Sequence, residues 1–182
     1  MILKAAPHLC PGKLHTAFVF SVPGRHEEKG SQPVAGATGT NLNNALAILH
    51  VRRPDLFESS EKYDYRITNA YHKPIWPKQN NGRSEATADE IKGPSNRDRV
   101  VRELEDCTLI VWCGKKAQHV ERLVANRLAR KIHIEVPHLS PRALWSLKVP
   151  PGSPSLEGAT VYEARIELWV ARVLEQCDRP VR

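Results

Sequence analysis

Several common sequence signals are missing from this chain of 182 residues, and each absence excludes a class of protein. No stretch of about 18 uninterrupted apolar residues occurs, which excludes a membrane-spanning helix. The N-terminus lacks the basic, apolar and small-residue order of a secretory signal, so we expect a cytoplasmic protein without disulfides. Neither GxGxxG nor GxxxxGK[ST] is present, which argues against a nucleotide-binding domain built on a common phosphate-binding loop.

Cysteine is scarce and scattered. No two cysteines form a CxxC pair, so neither a zinc ribbon nor a redox motif is indicated. We expect them to behave as small, buried apolar residues. The four positions are Cys10, Cys107, Cys113 and Cys177.

Positive charge is in excess, with a formal net charge of +7. The pI near 9.4 favours an acidic partner, of which the phosphate backbone of a nucleic acid is the simplest. Basic proteins that bind no nucleic acid are also common. The charge therefore indicates a partner class without identifying it.

Apolar patterns predict strands alternating with helices. The predicted strands are Thr16–Val22, Tyr65–Ala70, Cys107–Cys113 and Lys131–Val136. The predicted helices are a segment through Leu42 and Leu49 that ends before Pro54, then Arg97–Asp106, Gly114–Ala129 and Val161–Cys177. The stretch from His72 to Ser95 is dense in polar and turn-forming residues and is expected to supply no core face. We therefore expect one α/β domain over residues 1–182, a three-layer αβα sandwich around a mostly parallel four-stranded sheet.

Ligands of such sheets bind beyond the carboxyl ends of the strands. The loops that start at Pro23, Ala70 and Pro137 all leave predicted carboxyl ends. We expect these three loops to meet at one site.

An ordered series of short motifs follows this layout. The segment PGRHEEKGSQPVAGATGTNL is in register with PGxxExxxGxPFVGxAGxxL, the loop after the first strand of family 4 uracil-DNA glycosylases. The matching positions are Pro23, Gly24, Glu27, Pro33, Gly36, Gly39 and Leu42. Downstream, ITNAYHKPIWP is similar to the family's ITNVVKCRPP segment, and EATADEI, WCGKKA and VPHLSPRAL follow in the family's order. From about Phe18 to Leu144 the chain thus resembles the uracil-DNA glycosylase superfamily.

That resemblance implies a hydrolase of DNA repair or antiviral defence, a monofunctional glycosylase that flips a damaged or modified pyrimidine out of DNA. It would hydrolyse the N-glycosidic bond and leave an abasic site. DNA is the expected partner, with no membrane association and no obligate protein partner. Some bacterial relatives excise glucosylated hydroxymethylcytosine from phage DNA, and this pattern is compatible with that niche.

Two departures from family 4 bear on the chemistry. The family holds an iron-sulfur cluster on four cysteines, but only Cys10 precedes the first strand and no cysteine follows Ile91 closely. We therefore predict no cluster, no metal and no other cofactor. The family also has an acidic or amide side chain shortly before the proline of the first loop to position water, whereas this chain has Ser21 and Val22 before Pro23.

A carboxylate must then orient water and stabilise the oxocarbenium-like sugar. Glu27 and Glu28, in the loop that faces the nucleotide in the family, are the candidates; the alternative is that they are solvated loop charges. His138 matches the motif histidine that donates a hydrogen bond to the base carbonyl, which a neutral imidazole can do. A core or surface histidine is the alternative.

Four residues are expected to contact the extruded base. Asn69 matches the asparagine that reads the base edge, since a carboxamide offers a donor and an acceptor. Its alternative role is to cap a strand end. Val34 stands where the family has an aromatic residue that stacks on uracil, so the pocket should be larger and suit a bulkier base. Ser21 and Val22 complete the predicted set.

The predicted DNA-binding residues are Arg25, Lys73, Ser140 and Arg142, with additional charge from Lys29, Lys78 and Arg83. Each alone is also an ordinary surface residue. Leu139 or Leu144 is a candidate wedge for the vacated base stack, although helix packing explains Leu144 equally well. A catalytically silent module that reads a modified base remains the alternative function, because the usual residue before Pro23 is missing.

Overall fold

The computed structural model describes residues 3–148 and 160–177. Its strands are β1 (Thr16–Phe20), β2 (Arg66–Asn69), β3 (Leu109–Cys113) and β4 (Ile132–Val136). Its α-helices are α1 (Arg25–Gly30), α2 (Ala37–Arg52), α3 (Ala88–Lys92), α4 (Pro94–Leu104), α5 (Lys115–Val124), α6 (Pro141–Trp145) and α7 (Val161–Cys177). Short 3₁₀ helices lie at Lys62–Asp64 and Ala125–Arg127.

The four strands form one sheet in the order β2-β1-β3-β4, and every neighbouring pair is parallel. The carboxyl ends therefore share one edge. At that edge Phe20 of β1 pairs with Asn69 of β2, and Cys113 of β3 pairs with Val136 of β4. The loops after β1, β2 and β4 consequently all start at this edge, with β3 lying between β1 and β4.

Helices cover both faces of the sheet. One face packs alternate strand residues such as Phe18 and Val111 against α2, α6 and α7. The other packs Val19 and Trp112 against α3, α4 and α5. Because side chains alternate between the faces of a strand, the apolar runs of β1 and β3 supply both cores. The predicted three-layer α/β sandwich is confirmed.

Both outer strands are partly covered at their free edges. Cys10 exchanges two backbone hydrogen bonds with Ile67 on the open side of β2, at 2.8 and 3.0 Å. On the open side of β4, the side-chain amide of Gln176 in α7 bonds the backbone N–H and C=O of Glu135, at 3.0 and 2.8 Å. Backbone groups that a lone sheet edge would leave unpaired are therefore bonded at these positions.

The stretch from His72 to Ser95 is more ordered than its composition indicates. It contains α3, which begins with a capping box between Thr87 and Glu90. Ile75, Ala86 and Ile91 are buried in the core that α4 and α5 share with the sheet. The expectation that this stretch supplies no core face is wrong, because single apolar residues at irregular spacing complete the core.

Other differences concern element ends and the first loop. Helix α1 was not predicted, and its six residues include none that is buried. Three cysteines are buried as expected, whereas Cys10 is half-buried. No helix among residues 3–148 and 160–177 is long and apolar enough to cross a membrane.

Candidate functional site

His138 lies just beyond the end of β4, with its ring edge-on to that of Phe20 at a centroid distance of 5.5 Å. Its Nδ1 accepts a hydrogen bond from the backbone N–H of Ser140 at 2.9 Å. Burial lowers the pKa of His138 to about 4, so the imidazole is neutral at physiological pH. Since Nδ1 is the acceptor, the proton resides on Nε2, which makes the ring a neutral hydrogen-bond donor.

The His138 loop is held by side chains from three helices. Asn41 of α2 donates to the carbonyl of Leu139 at 2.7 Å, and Trp169 of α7 donates to the carbonyl of Pro137 at 2.8 Å. Gln118 of α5 donates to the carbonyl of Val136 at 2.9 Å. The loop therefore has little freedom to move His138.

Gly114, at the end of β3, lets the His138 loop approach the sheet. Its φ of +93° is strained for any residue with a side chain. A Cβ at this position would lie 3.0 Å from the Cβ of His138. The glycine of the WCGKKA motif is thus required by packing against His138.

Asn69 lies on the same side of the sheet as His138. It ends β2, where it is the register partner of Phe20, and only 4% of its surface is exposed. Because Ile67 faces the core beneath α2 and α7, strand alternation places Asn69 on that side too. Its Oδ1 is buried and has no hydrogen-bond partner within the described chain. A buried acceptor without a partner is costly and is expected to be satisfied by a ligand or water.

A buried ion pair fixes the backbone at Asn69 from the opposite side. Arg99 of α4 donates to the carbonyl of Asn69 at 2.8 Å and to the carboxylate of Glu103 at 2.5 Å. Glu103 also accepts from Thr68 at 2.6 Å and contacts His8 at 3.2 Å. Burial opposes ionisation, but hydrogen bonds from His8 and Thr68 and the charge of Arg99 hold the pKa of Glu103 below its usual range. This network orients the end of β2, and the sequence patterns gave no sign of it.

Ser21 and Val22 follow β1 directly. The hydroxyl of Ser21 is buried without a partner among the described residues, so it is a second unsatisfied polar group near the strand ends. Val22 packs against the core beneath α4 and α5, on the other face of the sheet from Asn69. The structure therefore does not bring Val22 together with Asn69 and His138.

The two candidate carboxylates differ in their surroundings. Glu27 lies in α1, where Oε2 accepts from the backbone N–H of Gly24 at 2.9 Å and Oε1 from that of Ala35 at 3.0 Å. It closes the loop after β1 on itself. Glu28 is exposed. Glu27 is thus fixed by backbone groups of the loop after β1, whereas Glu28 faces solvent.

Val34 is buried in the core that contains Phe20, and its backbone is strained. Its φ of +46° is rare for a β-branched residue. Its carbonyl lies 1.8 Å from the position that a Cβ on Gly39 would take, so only glycine fits there. Such strain concentrates at functional sites when the surrounding structure enforces it.

The predicted DNA-binding residues lie on segments that follow the carboxyl ends of β1, β2 and β4. Arg25, Lys73 and Arg142 are exposed. Ser140 caps α6, its hydroxyl accepting from the N–H of Ala143 at 3.4 Å, so part of its bonding capacity is used within the protein. Arg83 pairs with Glu90 at 3.0 Å. Lys29 and Lys78 are exposed.

The proposed wedge residues are not available in this arrangement. Leu139 and Leu144 are both fully buried in the core beside α7. Neither side chain reaches a DNA base stack without leaving that core. The wedge expectation is therefore corrected, because core packing accounts for both leucines.

Within residues 3–148 and 160–177, no group of three or more His, Cys, Asp or Glu side chains is placed to hold a metal ion. No protein-family model matches the sequence, and no curated protein matches it either. Membership of the glycosylase superfamily therefore stays a prediction from the order of short motifs.

Proposed function

We propose that this chain is a monofunctional DNA glycosylase that extrudes a modified or damaged pyrimidine and hydrolyses its N-glycosidic bond. One observation carries the proposal: a neutral histidine donor and an unsatisfied buried amide acceptor share one side of the sheet at its carboxyl edge. Phe20 lies next to both, as the ring contact of His138 and the register partner of Asn69.

The two polar groups are complementary to the edge of a pyrimidine. Asn69 Oδ1 would accept a hydrogen bond from a ring or exocyclic N–H, and His138 Nε2–H would donate to a ring carbonyl. The carbonyl oxygen gains negative charge as the base departs. A donor already fixed by Asn41 and Trp169 stabilises that charge without reorganising.

Glu27, whose side chain is fixed in the loop after β1, is the proposed carboxylate for the sugar half of the reaction. A carboxylate has about four lone-pair sites, so its two backbone hydrogen bonds leave capacity to accept one from water. Its negative charge would stabilise the oxocarbenium-like sugar while water adds to C1′ and the bond to the base nitrogen breaks. The water proton would pass to the carboxylate or to the departing base.

The proposed substrate is a bulky modified pyrimidine, of which the glucosylated hydroxymethylcytosine of phage DNA is the leading example. Val34 is smaller than the aromatic residue of family 4, which favours a wider pocket. Exposed Arg25, Lys73 and Arg142 would contact the phosphates on either side. Defence against phages would be the matching biological role, with repair of damaged DNA as the other.

A catalytically silent reader of modified DNA is the second candidate. It is favoured by the bonding of Glu27, whose two oxygens already hold the loop, and by the exposure of Glu28. Such a module would bind DNA tightly and in a salt-dependent manner without releasing a base.

Mass spectrometry of released nucleobases separates these functions. The protein is incubated with DNA that contains uracil, hydroxymethylcytosine or its glucosylated form. Release from any of these excludes the silent reader, and release reduced at least about 100-fold in His138→Ala supports its role as donor. Unchanged release in a Glu27, Glu28 and His138 triple alanine variant would refute all three catalytic assignments. Absence of DNA binding at low salt would instead favour a small-molecule nucleotide-binding domain.

A further inference from the structure

One large aromatic side chain is exposed next to the proposed site. Trp145, in α6, is 57% exposed. Among the described residues, Val51 and Val161 are the only other large apolar residues that are exposed. The other three tryptophans are buried or half-buried. Trp145 is thus the one exposed indole among the described residues.

A guanidinium group covers the indole ring. The Cζ of Arg165 in α7 lies 4.2 Å from the ring centroid of Trp145, a cation–π contact. Arg165 also donates from Nε to the carbonyl of Leu147 at 3.4 Å and from Nη1 to the carbonyl of Val161 at 3.3 Å. These bonds fix the guanidinium over the ring, and more than half of the Trp145 surface stays accessible.

The surroundings of this Trp145–Arg165 pair are basic. Arg142 and Lys148 are exposed on the same segment of chain. Two acids lie near Arg165 along α7: Glu163 accepts from the N–H of Thr160 at 2.6 Å, and Glu167 pairs with Arg52 at 2.8 Å. A flat aromatic surface surrounded by cations suits the face of a nucleobase whose phosphates lie against the cations.

The pair is also close to the proposed pocket along the chain. Helix α6 begins directly after Ser140, whose N–H bonds His138. Trp145 is five positions after Ser140, which corresponds to a rise of about 8 Å along the helix, or roughly two base steps. This separation is short enough for a strand with one nucleotide at His138 to place a neighbouring nucleotide at Trp145.

We infer that Trp145 and Arg165 form a stacking platform for an unpaired base of single-stranded DNA, one to two nucleotides from the proposed pocket. The inference deepens the proposed function, on which it rests, by naming the form of DNA that is bound. In duplex DNA both faces of each base are already stacked, so an exposed indole gains its contact only from an unpaired base. The platform thus predicts that single strands bind more tightly than duplexes.

The test measures binding of a 12-residue oligothymidylate and of the corresponding duplex by fluorescence anisotropy. Base stacking on an aromatic residue corresponds to about a fivefold to hundredfold change in affinity. Trp145→Leu should weaken single-strand binding by that factor, although leucine remains apolar. Trp145→Phe should retain most of the affinity, and Arg165→Gln should weaken it and reduce its salt dependence.

Two control variants remove matching features elsewhere. Val51→Ala removes an exposed apolar side chain on α2, and Arg102→Gln removes an exposed charge on α4, on the other side of the sheet. Both should bind oligothymidylate like the parent chain. Thermal unfolding of each variant checks that the fold is intact, and Trp145→Phe keeps the test decisive if Trp145→Leu unfolds.

The inference would be overturned if Trp145→Leu bound oligothymidylate as tightly as the parent chain does. It would also be overturned if Trp145→Leu lost as much affinity for the duplex as for the single strand. A concentration-dependent dimer that dissociates in Trp145→Leu, with oligothymidylate binding unchanged, would identify the surface as a contact between copies and also overturn it. The binding test does not depend on base release. If Trp145→Leu loses oligothymidylate binding but the parent chain releases no base from modified DNA, the stacking platform is supported and the proposed function is refuted.

Discussion

The loops after β2 and β4 are held in a different way from the loop after β1. The β2 end is bonded to Arg99 of α4, and the His138 loop is bonded to side chains of α2, α5 and α7. The β1 loop is held by its own Glu27, by a bond from Tyr63 to the carbonyl of Pro33 at 3.2 Å, and by backbone bonds from the segment after β2 to the carbonyls of Ser21 and Pro23 at 3.2 and 2.9 Å. Side chains of packed helices thus hold the two segments proposed to bind the base, whereas the carboxylate proposed to act on the sugar is bonded to the backbone of its own loop.

The largest expected effect is at the β2 end. Arg99→Met should lower the free energy of unfolding by about 3–5 kcal/mol, because Glu103 would be left buried without its cation. Urea denaturation measures this loss. The matched variant Arg102→Met, on the exposed side of the same helix, should change stability by no more than about 0.5 kcal/mol. Similar losses for the two variants would show that the buried pair does not support the β2 end.

The pH dependence of stability tests how firmly His138 is held. Its pKa is about 4 in the folded chain against 6.5 ordinarily, so the unfolded chain binds the extra proton between these values. The contribution of His138 to the free energy of unfolding is therefore at its full value above about pH 6.5. It declines by up to about 3 kcal/mol as the pH falls towards 4.

Urea denaturation at a series of pH values should reveal this decline in the parent chain. His138→Gln cannot titrate, so its stability should change less over the same range. If the stability of the parent chain and of His138→Gln changed with pH in the same way, the folded loop would tolerate a protonated His138. The loop after β4 would then not be held more firmly than the loop after β1.

A smaller effect is expected for the bond that holds the His138 loop to α2. Asn41→Leu leaves the buried carbonyl of Leu139 without its donor and should cost about 1–3 kcal/mol of stability. It should also slow any base release while DNA affinity changes little. Asn44→Leu, at an exposed position of α2, is the control and should be neutral. Neutral behaviour of Asn41→Leu itself would contradict the claim that helices preorganise this loop.

The smallest effects are expected in the β1 loop. Glu27→Ala removes a capping interaction and should cost about 1 kcal/mol, whereas Glu28→Ala should stay within about 0.5 kcal/mol. Denaturation of the two variants measures both values. An equal or larger cost for Glu28→Ala would mean that the exposed carboxylate has a structural role that its position does not indicate.

The sheet could be predicted from sequence because each strand is a short apolar run bounded by turn residues. Such runs predict buried parallel strands with helices between them, and both faces of β1 and β3 are buried. Helix α1 was missed because it buries no residue and so has no apolar periodicity. Helix α3 did carry a signal, the capping pair Thr87 and Glu90, which its polar surroundings masked.

The candidate site was only partly predictable. Motif order indicated His138 and Asn69, and the structure places both next to Phe20 at the carboxyl edge of the sheet. Residues that hold the site, Asn41 and Arg99 above all, had no sequence signal, because a polar residue within an amphipathic helix normally faces solvent. Only the tertiary fold reveals that these two bond carbonyls of distant loops.

The covered strand edges have a consequence for behaviour at high concentration. An open sheet edge is a template on which a second chain can add a strand, and aggregation often starts there. Here the backbone bridge from Cys10 and the amide of Gln176 occupy bonding positions on β2 and β4. Removing residues 1–11, or changing Gln176 to leucine, would expose those positions and favour edge-to-edge assembly over the monomer.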